Sequence, residues 1–79
     1  MHVRLGAGLS RLARAPALTL ELEDGATVDD ALTCLRAREP DMAPALRSAL
    51  PVVGGAHAEP RQRLEDRQEI ALLLPVSGG

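Results

Sequence analysis

The stretch Leu72-Leu73-Leu74-Pro75-Val76-Ser77-Gly78-Gly79 decides how the rest of this 79-residue chain is read. With Glu69-Ile70-Ala71 before it, it opens as an apolar run suited to a buried strand. Pro75 ends any ladder, because proline has no N–H and a fixed φ. Val76-Ser77 then read as a thin extended stalk before two glycines. Read alone, a final Gly-Gly is also what a frayed end looks like. Joined to a strand and a proline stop, it is a means of presenting a bare α-carboxylate. A tail of residues 75–79 reaches about 15 Å when extended, and glycine's missing Cβ lets it enter a channel too narrow for other residues. The reading is therefore a domain over residues 1–74 and an extended tail over 75–79.

Working outward, Leu18-Thr19-Leu20-Glu21-Leu22-Glu23 alternates with period two, so Leu18, Leu20 and Leu22 are expected to face the core of a strand. Residues 2–9 alternate too. Val3, Leu5, Ala7 and Leu9 fall on one face and Arg4, Gly6 and Gly8 on the other, which predicts a first strand with a light outer face. Residues 10–16 read as the turn of a hairpin, with Leu12 tucked beneath it. Asp24-Gly25 closes the second strand. Thr27 is a helix N-cap with Asp30 three residues on as a capping box, and Asp29 and Asp30 suit the positive end of the helix dipole. Val28, Ala31, Leu32 and Leu35 make one apolar face, and Pro40 stops a helix predicted over 28–38.

Beyond Pro40, residues 41–46 read as a short helical turn with Met42 and Leu46 inward. Pro51-Val52-Val53 is a short strand, Gly54-Gly55 a hairpin turn, and residues 56–58 a short edge strand. Residues 59–68 are polar and loop-like, with Leu64 as anchor. Residues 69–74 form the last strand. This order predicts an α+β architecture: a mixed sheet, centred on strands 2–9 and 69–74, with one main helix across one face. With Ile70, Leu72 and Leu74 turned to the helix, Ala71 and Leu73 point to the open face, beside Gly6 and Gly8. An apolar patch there predicts a docking surface for a partner.

Composition narrows the function classes. The net charge of −2, with no Phe, Tyr or Trp, argues against a nucleic-acid binder, which carries a basic face and aromatics for stacking. No stretch is apolar enough to span a bilayer, and no signal region opens the chain, so a cytoplasmic location is expected. A single cysteine, Cys34, excludes an internal disulfide framework and reads as a small hydrophobe on the helix. His2 and His57 have no metal-ligand spacing and read as surface residues. All nine basic residues are Arg, so the chain offers no ε-amine of its own.

Three stretches carry a resemblance: residues 22–32 at the turn and helix start, 64–74 at the final loop and strand, and Pro75-Val76-Ser77-Gly78-Gly79. The chain resembles the β-grasp sulfur carriers of the MoaD/ThiS family, relatives of ubiquitin, and its tail is similar to that of the molybdopterin synthase small subunit. It departs from them at Leu5-Gly6-Ala7, where aromatics are frequent, at Gly54-Gly55, where Asn-Gly is common, and at Asp66-Arg67, where Asp-Gly often stands.

The resemblance implies a β-grasp fold and a carrier chemistry centred on Gly79. A ubiquitin-activating-type adenylating enzyme would dock on Ala71 and Leu73 and draw in Pro75, Val76, Ser77 and Gly78. It would use ATP to turn the Gly79 carboxylate into an acyl-adenylate. A sulfur donor would convert this to a thiocarboxylate, which donates sulfur inside a partner enzyme such as the large molybdopterin synthase subunit. The chain would bind no cofactor or metal and would serve as a sulfur-donor subunit without an active site of its own. Alternatives on the same residues are a carrier for cysteine, thiamine, tRNA thiolation or a sulfur-containing secondary metabolite, a ubiquitin-like modifier joined to lysines through Gly79, and an interaction module with an inert tail.

Overall fold

A computed structural model of the chain describes residues 1–65 and 67–75. In chain order it contains β1 (His2–Leu5), α1 (Ala7–Ala13), β2 (Ala17–Thr19), α2 (Val28–Arg38), a 3₁₀ turn (Pro40–Met42) running into α3 (Ala43–Leu46), β3 (Leu50–Val53), β4 (Ala56–His57) and β5 (Glu69–Leu73). The five strands form one sheet in the order β2-β1-β5-β3-β4. β1 and β5 are parallel, with Val3 opposite Ile70 and Leu5 opposite Leu72. The other pairs are antiparallel. This mixed sheet, with α2 across one face, is the expected β-grasp arrangement.

The inward positions of the sheet are Val3, Leu5, Pro51, Val53, Ile70 and Leu72, all buried. Val28, Ala31 and Leu35 of α2 close on them, and the seam they share with Leu32 leaves no room for a water molecule. Leu9, Met42 and Leu46 fill one end of the core. The absence of aromatics is thus met by a core of aliphatic side chains and Met42.

α2 begins and ends where the sequence places it. Thr27 Oγ1 accepts from the Asp30 N–H and Asp30 Oδ2 accepts from the Thr27 N–H, at 3.2 and 2.9 Å. The remaining free N–H groups of the first turn are satisfied by the loop after β4. Val28 donates to Gln62 O and Asp29 to Pro60 O, both at 2.9 Å. Polar residues 59–65 are therefore the cap of α2, with Leu64 buried beneath them. At the other end the Arg38 guanidinium donates to the Thr19 carbonyl and ties α2 to the edge strand. Gly54 and Gly55 both have positive φ, 62° and 80°, the backbone that a two-residue hairpin turn requires.

Three expectations are corrected. The first strand does not run over 2–9: it ends at Leu5, and residues 7–13 form α1. Gly6 still gives its N–H to Leu72 O, but its carbonyl accepts from the Ser10 N–H and so opens the helix. Ala, Leu and Arg in 7–13 are good helix formers, and Leu9, which fits either period, is buried from the helix. β1 and β2 are consequently joined through α1 and not by a tight turn, and Leu12 is 45% exposed instead of tucked under. Finally, the second strand is confined to Ala17–Thr19. Just beyond it, Leu20 exchanges two hydrogen bonds with Met1. Leu20 is still buried, with Leu18 and Leu22 packed against the core.

Leu35 is 1% exposed whereas Leu32 is only half-buried. Leu35→Ala should therefore destabilise the fold by about 2–5 kcal/mol, read as a fall in the denaturant midpoint, and Leu32→Ala by less. An unchanged midpoint for Leu35→Ala would mean that α2 is not seated on the sheet.

Candidate functional site

β5 is the central strand, and its outward residues define the open face of the sheet. Residues directly opposite in a ladder share a face. The register sets Arg4 and Val52 on either side of Ala71, Leu50 opposite Leu73, and His2 opposite Glu69. The Arg4 guanidinium lies 3.4 Å from the Glu69 carboxylate, both side chains largely in water, where such a pair contributes about 0–1 kcal/mol. Leu73 and Leu50 are 45% and 40% exposed, and Ala71 and Val52 are half-buried. The face is thus an apolar step, Leu50–Leu73, set beside an Arg4–Glu69 pair.

The outward parity of Ala71 and Leu73 agrees with the sequence. Gly6 does lie beside Leu73, since a Cβ on it would stand 3.4 Å from Leu73 Cδ2, but Gly8 does not share that strand face, because α1 starts at Ala7. Gly6 caps α1, with its N–H donating to Leu72 O at 2.9 Å, and Gly8 lies in the first turn against Leu74. The outward positions of β1 are instead His2 and Arg4. Leu50 was not legible as part of the patch, since Pro51 marks the apparent strand start. Pairing with Leu73 is a long-range fact with no local signal.

The chain leaves the sheet at Leu74, half-buried against the core, and Pro75, which is exposed. The expected tail residues Val76, Ser77, Gly78 and Gly79 lie outside the described residues. Elsewhere, Glu21, Leu22, Glu23, Ala26, Asp30 and Cys34 line an open depression of about 320 Å³. Its described lining brings together acids and one half-buried thiol and includes no basic side chain. Among the described residues no group of His, Cys, Asp and Glu is placed to hold a metal ion. His2 and His57 are exposed on separate strands. The N-terminus of α2 is filled by its own cap and loop, so it has no N–H groups to offer an anion.

The fold and the open face beside the end of the central strand define a ubiquitin-like β-grasp protein. More particularly, the chain belongs to the ThiS family, whose model matches residues 3–79. Among solved structures it is similar to small archaeal modifier protein 1 of Haloferax volcanii, with 26% identity, a TM-score of 0.85, and 99% of this chain and 97% of that one covered. It is similar to small archaeal modifier protein 1 of Methanosarcina acetivorans, with 28% identity, a TM-score of 0.81 and coverage of 99% and 94%. The putative molybdopterin converting factor subunit 1 of Pyrococcus furiosus shares the fold at 20% identity, a TM-score of 0.85 and 95% coverage of each chain. No curated protein matches the chain.

Leu73 projects from the open face, so Leu73→Glu should keep the denaturant midpoint of the parent, within about 0.5 kcal/mol of stability. A loss of several times that would place Leu73 in the core and reverse the parity of β5.

Proposed function

We propose that this protein is a sulfur carrier that works through the carboxylate of Gly79, and in particular that it is the sulfur-donating small subunit of a molybdopterin synthase. The observation that carries the reading is the ThiS-family match running through Gly79. The fold supports it, because the central strand ends next to an open apolar face and hands the chain on at Pro75. A carboxylate is a poor electrophile. In the proposed sequence an activating enzyme docks on Ala71 and Leu73, and the Gly79 carboxylate attacks the α-phosphorus of ATP, giving an acyl-adenylate and pyrophosphate. A persulfide then displaces AMP to form an acyl disulfide. A second thiol reduces that disulfide, taking the donor's sulfur into a new disulfide and leaving the Gly79 thiocarboxylate. The thiocarboxylate gives up its sulfur in the acceptor enzyme and returns to a carboxylate on hydrolysis. Pro75, Val76, Ser77 and Gly78 are the segment that enters the partner, and the smallness of Gly78 and Gly79 suits a narrow channel. ATP belongs to the activating enzyme and the carrier binds no cofactor.

A second reading is supported by the two small archaeal modifier proteins, at 26% and 28% identity. In it the same acyl-adenylate leads to an amide with a lysine of another protein. Carriers for other sulfur acceptors form a third. All three readings are compatible with a cytoplasmic setting, and among the described residues no helix is long and apolar enough to cross a membrane.

Intact-mass measurement after incubation with the activating enzyme, ATP and a sulfur donor separates these. One sulfur-for-oxygen exchange supports the carrier, and attachment of a target protein the modifier. No change with any cognate enzyme would sink both. Transfer of the sulfur to a pterin precursor by the large synthase subunit is the specific outcome expected for a molybdopterin synthase. Deleting Gly79 should abolish adenylation while leaving the thermal midpoint nearly unchanged, since a single terminal glycine contributes little to stability.

A further inference from the structure

The first turn of α1 is tied to the end of β5. The Gly6 N–H donates to Leu72 O, and the Ser10 N–H to Gly6 O at 2.8 Å. Leu9, the next residue after Gly8, is fully buried and anchors the helix from below. Gly8 is an unfavourable choice for a helix of seven residues on propensity grounds, and such a glycine usually has a packing reason. Here the reason is Leu74. A Cβ placed on Gly8 would stand 2.6 Å from Leu74 Cδ1, closer than two carbon atoms approach, and 3.8 Å from its Cγ. Leu74 directly precedes Pro75, whose ring confines the Leu74 backbone to extended conformations. Its backbone is thus limited from one side by Pro75, and its side chain is seated from the other in the space left by Gly8.

We propose that Gly8 is a positioning residue. The notch made by its missing side chain seats Leu74, and so fixes the direction in which the chain leaves the domain at Pro75. The functional consequence rests on the reading of Gly79 as the activated group, while the contact itself does not. With Leu9 holding α1 in place, an added methyl at position 8 is relieved by Leu74 swinging out of its seat, because the far end of a leucine turns more easily than an anchored helix moves. The tail then starts from an unseated root. An enzyme that must thread it has to order that root on binding, which weakens association.

The test is a cycle of Gly8→Ala, Leu74→Ala and the double variant. It is read by ATP–pyrophosphate exchange with the adenylating enzyme and by nuclear magnetic resonance of the free protein. Gly8→Ala should keep or raise the thermal midpoint, since Ala is the better helix former. It should nevertheless lose the proton contacts between position 8 and the Leu74 methyls and lower the order parameter of the Leu74 amide. It should raise KM for the carrier by about tenfold, the cost of ordering one side chain on binding, with kcat little changed. The double variant should be no worse than Leu74→Ala alone, because the side chain that clashes is gone. An unchanged Leu74 contact and KM in Gly8→Ala would overturn the proposal, as would single effects that simply multiply in the double variant. If no adenylating enzyme accepts the parent protein, the Gly79 reading fails, and the Leu74 contacts and amide order in Gly8→Ala still decide whether Gly8 seats the root.

Discussion

The parallel pairing of β1 with β5 is the constraint on which the structure depends. It joins residues 2–5 to residues 69–72, nearly the two ends of the chain, through two rows of buried aliphatic side chains, Val3 with Ile70 and Leu5 with Leu72. A parallel pair has no tight turn and needs a crossover, so everything between must form a closed excursion over the sheet. Closing so long a loop costs only slightly more than closing one half its length, and the buried rows offset it. With β1 on one side and β3 on the other, β5 has partners along both edges. Proline is excluded from such a strand and appears at Pro75, just beyond its end.

The excursion is held by α2, and α2 is held at both ends by backbone that lies far away in sequence. Pro60 and Gln62 supply carbonyls to its first turn, and Arg38 in its last turn reaches the Thr19 carbonyl of β2. The loop that caps α2 is also the segment that leads into β5. Seating the helix and delivering the central strand are therefore coupled through residues 59–65. A polar loop that looks like simple solvated chain is doing the work of satisfying helix N–H groups that would otherwise be unpaired.

What was legible follows from this. α2, with Thr27, Asp30 and Pro40 at its limits, was readable because its caps and its apolar face are local in sequence. So were the Gly54-Gly55 turn, which needs two positive φ values, and the alternation of β5. The boundary between β1 and α1 was not readable, because Leu5, Ala7 and Leu9 satisfy a two-residue period while Leu9 also satisfies a helical one. β1 ends where Gly6, still bonded to Leu72 O more than sixty residues away, turns its carbonyl to the Ser10 N–H. Pairing between distant residues likewise hid the short extent of β2, and hid Leu50 and Gly8 as neighbours of Leu73 and Leu74. On the open face the parity of Ala71 and Leu73 was available from one strand alone. The identity of the surrounding side chains required the register of three.

The domain's own chemistry bears on how an activated terminus would behave. If Gly79 becomes an acyl-adenylate as proposed, the strongest nucleophiles it could meet on its own chain, or on another copy, are amines and thiols. The sequence contains no lysine. The Met1 amine is engaged by the Leu20 carbonyl at 2.9 Å, and the Cys34 thiol is half-buried on α2. Arginine guanidinium groups stay protonated and do not compete. A copy of this protein is therefore a poor acceptor for its own activated form. For a carrier, that leaves the acyl-adenylate to the sulfur donor. For a modifier, it excludes chains linked through its own lysines, because an attached copy presents no lysine for the next. In either case the domain supplies shape and a delivered carboxylate, and the nucleophile that decides the product must come from the partner.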